Sequence, residues 1–410
     1  MNTLSFRPSI VAVADSDSYL KLACTTLSAL GPEWDCRVVL VRTPIAPTSE
    51  QVAAATFGTS FENQNIEVVT RSALNFDSLH EHIIFAAATG PVVSELFTKL
   101  LRSKANAVRP AALISALPGV AYPATTKGWG YRRSADAFIV HSHAEAREFS
   151  FLAEQESGHR PDILVSKLPF LKTAGFPISL QGPITTVVFA AQAKVPVEIS
   201  ERTSILLALD RIKCLNPQVR VIVKLRARAG EPQTHAEAHP FDTLWASLVA
   251  EGKVGQGHVE FLTGAMDKVL VPGSALLTVS STAALEAVDR GLPVLVLTDF
   301  GLNDQMLNSV FRGSGLLGTL DDASLLRFSF PNRAWLRENY FHRRGTEFVS
   351  ALSHYAQRAQ DNALITTNEQ LSMLREVALR QRIRTSLPRP ALQALLRIRR
   401  WWVGARGTNR

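Results

Sequence analysis

The stretch Val279-Ser-Ser-Thr-Ala-Ala-Leu-Glu-Ala-Val-Asp-Arg-Gly-Leu-Pro-Val294 decides the fold. An apolar run, Ala275–Val279, ends in the hydroxyl residues Ser280, Ser281 and Thr282. A helical pattern, Thr282–Arg290, follows, and Gly291-Leu292-Pro293 turns the chain into a second apolar run, Pro293–Thr298. Two buried strands joined by a helix in this way read as parallel strands with a helical crossover. Ser281 or Thr282 can cap the helix, and the free N–H groups at its positive end suit a phosphate. Glu286, about one turn in, is placed to reach a ribose. A capped helix with no ligand would show the same residues, so the segment establishes fold before function.

The same alternation extends in both directions. Upstream of it lie strand-like runs at Thr185–Ala190, Val219–Leu225 and Val259–Thr263 and helix-like segments at Glu198–Cys214 and Phe241–Glu251; a further helix is expected at Asp304–Phe311. The first half repeats the pattern, with runs at Ile10–Ala14, Arg37–Val41, Ile66–Thr70, Ile83–Ala88, Ala111–Leu117, Ala137–His141 and Ile163–Leu168. Helix-like segments there include Ser18–Leu30, Val92–Leu101 and His143–Glu154. Continuous apolar runs with helical crossovers mark doubly wound α/β domains. Thr173–Pro183, rich in Gly and Pro and without periodicity, reads as a linker. The expected organisation is α/β with two Rossmann-like domains facing a cleft: residues 1–175, residues 183–345, and residues 346–410 as a helical return with a basic amphipathic tail. Ligands of such sheets bind at the carboxyl ends of the strands.

Composition agrees. The 410 residues are 46% hydrophobic and 20% charged, which excludes disordered and fibrous classes. Three scattered cysteines give neither a disulfide framework nor a zinc spacing. The start of the sequence lacks a signal-peptide pattern, so a cytoplasmic location is expected. Nine arginines and no acid lie between Arg380 and Arg410, and subtracting them from the formal net charge of +8 leaves −1 for the rest. Basic character therefore belongs to the tail, which argues against a specific nucleic-acid face on the domains. Arginines mixed with Leu392, Leu395, Leu396, Ile398, Trp401 and Trp402 suit an anionic membrane surface, on the inner face of the cytoplasmic membrane. A solvated tail whose tryptophans pack on the body, or a tail that binds RNA non-specifically, is the plainer reading.

Two further segments carry candidate chemistry. Lys224 and Arg226 follow a strand end, and His235 and His239-Pro240 follow them. Cations there suit a phosphate, and a histidine can donate to it or protonate a leaving group. Asp15-Ser16-Asp17-Ser18 follows the first strand; Asp15 or Asp17 is a candidate base, and capping by Asp17 or Ser18 is the alternative. Gln192, after the first strand of the second domain, faces the same cleft. Gly119, Lys127 and Trp129 belong to an irregular aromatic-basic loop suited to stacking on an acceptor sugar and to phosphate contact, or equally to packing the loop itself. Dinucleotide, Walker, nucleophile-elbow and zincin motifs are absent.

On the 279–294 segment the chain resembles GT-B glycosyltransferases. Asp15–Tyr19, Phe189–Pro196 and Lys224–Ala227 make it similar to a bacterial glycosyltransferase family over roughly residues 9–345, a family whose membership does not settle the substrate. The Asp, His-Pro and Ser-Ser order is similar to bacterial sialyl- and polysialyltransferases. The resemblance implies an inverting, metal-independent transferase with no cofactor, moving a sugar from a nucleotide-sugar donor, here a CMP-activated nonulosonic acid, onto a cell-surface glycan or glycolipid. It implies Asp15 or Asp17 as base, His239 or His235 at the leaving phosphate, and Gln192, Lys224, Arg226, Ser280, Ser281, Thr282 and Glu286 on the donor. Rival readings are a UDP- or GDP-sugar transferase, a nucleotide-sugar 2-epimerase, a CDP-polyol phosphotransferase, and an inert nucleotide-sugar-binding scaffold at the membrane.

Overall fold

Apolar residues buried on both faces of their strands build two parallel sheets. The computed structural model describes residues 6–386 apart from 76, 102–105, 157, 173–176, 181, 226–236, 265 and 343–345. The first sheet is made by β1 (Ser9–Ala14), β2 (Asp35–Val41), β3 (Glu67–Val69), β4 (Ile83–Ala87), β5 (Ala112–Ala116), β6 (Ala137–Val140) and β7 (Asp162–Val165). Its helices are α1 (Asp17–Ser28), α2 (Ser49–Thr56), α3 (Gly90–Leu100), α4 (Thr126–Gly130) and α5 (His143–Glu154). The strand order is β3-β2-β1-β4-β5-β6-β7. The second sheet contains β8 (Thr186–Ala190), β9 (Arg220–Lys224), β10 (Glu260–Leu262), β11 (Ser274–Thr278), β12 (Val294–Leu297) and β13 (Leu317–Gly318), in the order β10-β9-β8-β11-β12-β13. Its helices are α6 (Ile199–Leu215), α7 (Phe241–Ala250), α8 (Ala283–Asp289), α9 (Leu320–Ser324) and α10 (Arg333–Glu338).

Each sheet starts in its middle and winds outward both ways. The order therefore reverses between β1 and β4 in the first sheet and between β8 and β11 in the second, and the crevices that accept ligands open at those points. The linker side also finds a partner. Leu180 N–H donates to Gly291 O at 2.7 Å, and a Cβ on Gly291 would stand 1.9 Å from Ile178 O. With φ at +70°, the Gly291 turn is one that only glycine fills without strain.

After the second sheet the chain returns to the first domain. In α11 (Thr346–Gln360), Leu352, Tyr355, Ala356 and Ala359 join the core around β1 and α1. In α12 (Asn368–Ser386), Leu374 joins the core around α3. Arg109, almost fully buried, forks onto Asp136 at 2.7 and 2.8 Å, and Tyr355 Oη donates to Asp136 O at 3.1 Å.

The helix expected over Asp304–Phe311 is instead a loop closed by one 3-10 turn, Ser309–Phe311. Asn308 accepts from Asn303 N–H, Asn303 accepts from Met306 N–H, and Asp304 accepts from Ser309 Oγ. Such short side-chain bonds satisfy the backbone without a helix. Among the described residues no helix is long and apolar enough to cross a membrane. The basic tail beyond residue 386 lies outside the described residues.

Candidate functional site

The carboxyl ends of the two sheets converge through α1 and α8. Lys21 on α1 lies near enough to Glu286 on α8 for its charge to pull the Glu286 carboxyl down, against burial, which is the larger effect and pushes it up. Lys21 Nζ also stands 5.9 Å from the centre of the Phe170 ring. Asp17, one turn before Lys21, shares that face of α1 and is exposed. Further out the domains are fastened by Glu145, which has no exposed surface. Its carboxylate accepts from Ala121 N–H at 2.7 Å, from His141 N–H at 2.8 Å and from Tyr340 Oη at 2.7 Å, the last from the second domain. Arg147 and Glu338 pair across the same junction at 2.6 Å.

On the first-domain side Asp15 sits at the β1–β4 reversal with no exposed surface. Thr89 donates to it twice, through N–H at 3.0 Å and through Oγ1. Burial pushes its carboxyl above the usual range, and the Thr89 donors, with Arg71 and Arg132 at longer range, pull the other way. Arg132 is buried behind it and donates to Tyr19 Oη at 2.7 Å, Ala88 O at 2.9 Å and Ala116 O at 3.1 Å. It thus ties α1, β4 and β5 together at their cleft ends. Sequence reading missed Thr89 and the bracing role of Arg132. Its donors are spent on the chain itself, and Arg133 is spent on Glu156 and Glu376.

For Trp129 the packing alternative applies. It is 2% exposed, and its ring packs on Phe138 and Phe149 at 6.1 and 6.2 Å between centres. An indole enclosed in this way has no free face for a sugar. The segment expected as an irregular loop forms the short helix α4, on which Lys127 is exposed, and a Cβ on Gly119 would meet nothing within 4 Å, so space is open there.

On the second-domain side the structure unites Gln192 and Ser280 across the β8–β11 reversal. Ser280 N–H donates to Gln192 Oε1 at 2.9 Å, and Gln192 Nε2 lies 3.0 Å from Ser280 Oγ. Ser281 N–H donates to Thr278 Oγ1 at 3.1 Å, and Ser281 Oγ accepts from Ala283 N–H at 3.2 Å. Thr282 is the N-cap residue, without a side-chain cap bond. Most N–H groups expected to be free are therefore engaged, which sets the loop's shape in advance. Lys224 departs from expectation too. Its ammonium donates to Gly264 O in the loop after β10, and β8 separates its strand from β11. Burial lowers its pKa, with Asp267 opposing. It braces the β9–β10 edge and is not set beside the Ser280 loop.

Arg226 and His235 lie outside the described residues. His239 is described, and its carbonyl accepts from Arg202 Nη1 at 2.8 Å. Arg202 is 1% exposed and holds both donor-side loops, donating to Gln192 O at 3.0 Å, Ala193 O at 3.1 Å and Pro196 O at 2.8 Å. It also pairs with Glu237 and lies over the Phe241 ring, 4.6 Å from its centre. Sequence reading missed it, although a signal existed. Arg202 occupies the apolar stripe Ile205, Leu206, Leu209 and Ile212 of α6, where a charge has to be paired.

A family model described as "Putative glycosyltransferase (DUF6716)" matches residues 10–355. No curated protein matches the sequence. Among solved structures, the UDP-GlcNAc 2-epimerase from Methanocaldococcus jannaschii aligns with a TM-score of 0.51 at 11% identity, over 85% of this chain and 99% of its own. MnaA of S. aureus with UDP aligns with a TM-score of 0.51 at 11% identity, over 87% and 98%. At such identity the likeness is one of fold: two parallel α/β domains of the GT-B type.

Proposed function

As this chain belongs to that glycosyltransferase family, we propose that it transfers a sugar from a nucleotide-activated donor, held at the β8–β11 crevice, to an acceptor hydroxyl presented by the first domain. The observation that carries the reading is that Lys21, on the α1 face that also bears Asp17, stands 5.9 Å from the centre of the Phe170 ring, which packs on the second-domain core, and within electrostatic reach of Glu286. The acceptor oxygen forms the new bond to the anomeric carbon as the bond to the nucleotide phosphate breaks, and the hydroxyl proton passes to a carboxylate. Asp17 takes that role, because it is exposed, whereas both oxygens of Asp15 are held by Thr89. Asp15 positions the loop. The Gln192–Ser280 pair, Thr282 and Glu286 hold the donor, and His239 offsets charge on the leaving phosphate, so that transfer proceeds without a metal.

Two donors merit testing. A CMP-activated nonulosonic acid follows from the His-Pro resemblance, of which His239 is the described part. A UDP-sugar follows from the nucleotides named for the two solved structures. Binding of CMP, UDP, GDP and CDP to the chain, read as a rise in melting temperature, ranks them by mass action. Turnover of the preferred donor is then compared in Asp17→Asn and Asp15→Asn. Asp17→Asn should lower kcat by about a hundredfold or more, within the usual range for a lost proton-transfer group, and leave donor binding unchanged. Full activity in Asp17→Asn with loss in Asp15→Asn would move the base to Asp15. Epimerisation of the donor without an acceptor would replace transfer by the epimerase reading. The basic tail is proposed to hold the enzyme at an anionic membrane, where a glycolipid acceptor would lie.

A further inference from the structure

At the opposite end of the second domain from the cleft, we propose that Asp210, Cys214 and His258 form a binding site for one divalent cation of the zinc class. Asp210 and Cys214 stand four residues apart on α6 and so share a face. His258 comes from the loop between α7 and β10. Among the described residues these three form the one group of metal-ligating side chains whose ligand atoms all lie within 4.8 Å of one another. His258 Nδ1 is 2.8 Å from Asp210 Oδ1, Cys214 Sγ is 3.7 Å from Asp210 Oδ2, and Cys214 Sγ is 4.0 Å from His258 Nδ1. Tetrahedral zinc bonds of roughly 2.3 Å to sulfur and 2.0–2.1 Å to nitrogen or oxygen set such atoms about 3.3–3.6 Å apart. Shifts of about half an ångström bring all three to that spacing.

The site has support behind its ligands. Gly255 N–H donates to Asp210 Oδ1 at 2.8 Å, which fixes the carboxylate. A Cβ on Gly255 would lie 2.3 Å from His258 Cε1, so the imidazole rests directly on backbone that only glycine leaves clear. Cys214 is exposed and gives a cation a way in, whereas Cys24 is buried and Cys36 half-buried. A thiolate, an imidazole and a carboxylate favour zinc or cobalt over magnesium or calcium, and three protein ligands leave a fourth position for water. On binding, the Cys214 S–H proton is released to solvent and a sulfur–metal bond replaces it. His258 binds through neutral Nδ1, and the two anionic ligands balance the charge of the ion. The bound ion would join the end of α6 to the loop leading into β10.

Co²⁺ reports thiolate ligation by colour, so the test titrates the chelator-treated full chain with Co²⁺ under a thiol-free reductant. One equivalent should produce a sulfur-to-cobalt charge-transfer band, release a proton, and be displaced by one equivalent of Zn²⁺. Cys214→Ser should remove the band, and His258→Ala should weaken Co²⁺ binding at least tenfold. Zn²⁺ should raise the melting temperature of the wild type and of neither variant. A chain without the band overturns the site, as does a band that survives in Cys214→Ser. Should Cys214→Ser fold poorly, unchanged Co²⁺ affinity in His258→Ala overturns it equally.

Discussion

Asp15 shows at the scale of one residue how burial sets chemistry. Its folded pKa is raised above the usual 3.8 by burial, so its protonated form is the one the fold favours. At pH below 3.8 it is protonated in folded and unfolded chains alike and carries no penalty. As pH rises through the higher folded value, the unfolded chain ionises more readily and stability falls. Asp15→Asn has no charge to bury and still accepts the Thr89 N–H. It should match or exceed the wild type in urea midpoint at pH 8, with the gap narrowing toward pH 4. Asp15→Ala leaves both Thr89 donors without an acceptor and should cost about 1–3 kcal/mol at either pH. Equal midpoints for the Ala and Asn variants would show that Thr89 does not depend on this carboxylate.

Among the elements, the returning helices depend on a buried ionic cluster. Asp136 takes the Arg109 fork, the Leu113 N–H at 2.7 Å and a longer contact from Gln370 of α12 at 3.4 Å. Removing one member of a buried pair leaves the other charge uncompensated. Asp136→Ala should therefore lower stability by about 3–5 kcal/mol. Loosening should reach α11 and α12, where hydrogen exchange would rise first. A variant that loses less than about 1 kcal/mol would place the strength of this junction in its apolar contacts instead. Lone polar residues on apolar stripes are the common thread: Arg202 on α6 and Gln370 on α12 are both buried and both bind backbone of another segment.

For the whole molecule, charge and fold separate. Without the nine arginines from Arg380 onward the chain is nearly neutral. Deleting residues 389–410 should abolish sedimentation with anionic vesicles while leaving the melting temperature unchanged. Retained vesicle binding would mean that the domains themselves hold the membrane. The cleft is a whole-molecule property too, because Tyr340, Glu338 and Glu286 of the second domain meet Glu145, Arg147 and Lys21 of the first.

Periodicity and turn chemistry by themselves determined the two sheets, because a strand buried on both faces has to be an unbroken apolar run, and Gly291-Leu292-Pro293 could only be a turn. They also placed Asp15, Asp17, Gln192 and Ser280 at strand ends, where topology opens a crevice. Tertiary structure decided which of these meet. Gln192 and Ser280, 88 residues apart, pair because β8 and β11 are neighbours. Trp129 is enclosed and Lys224 turned to Gly264 because neighbours distant in sequence cover them. The grouping of Asp210, Cys214 and His258 was equally invisible in a linear spacing search, since a helix and a glycine loop bring them together only once the domain has packed.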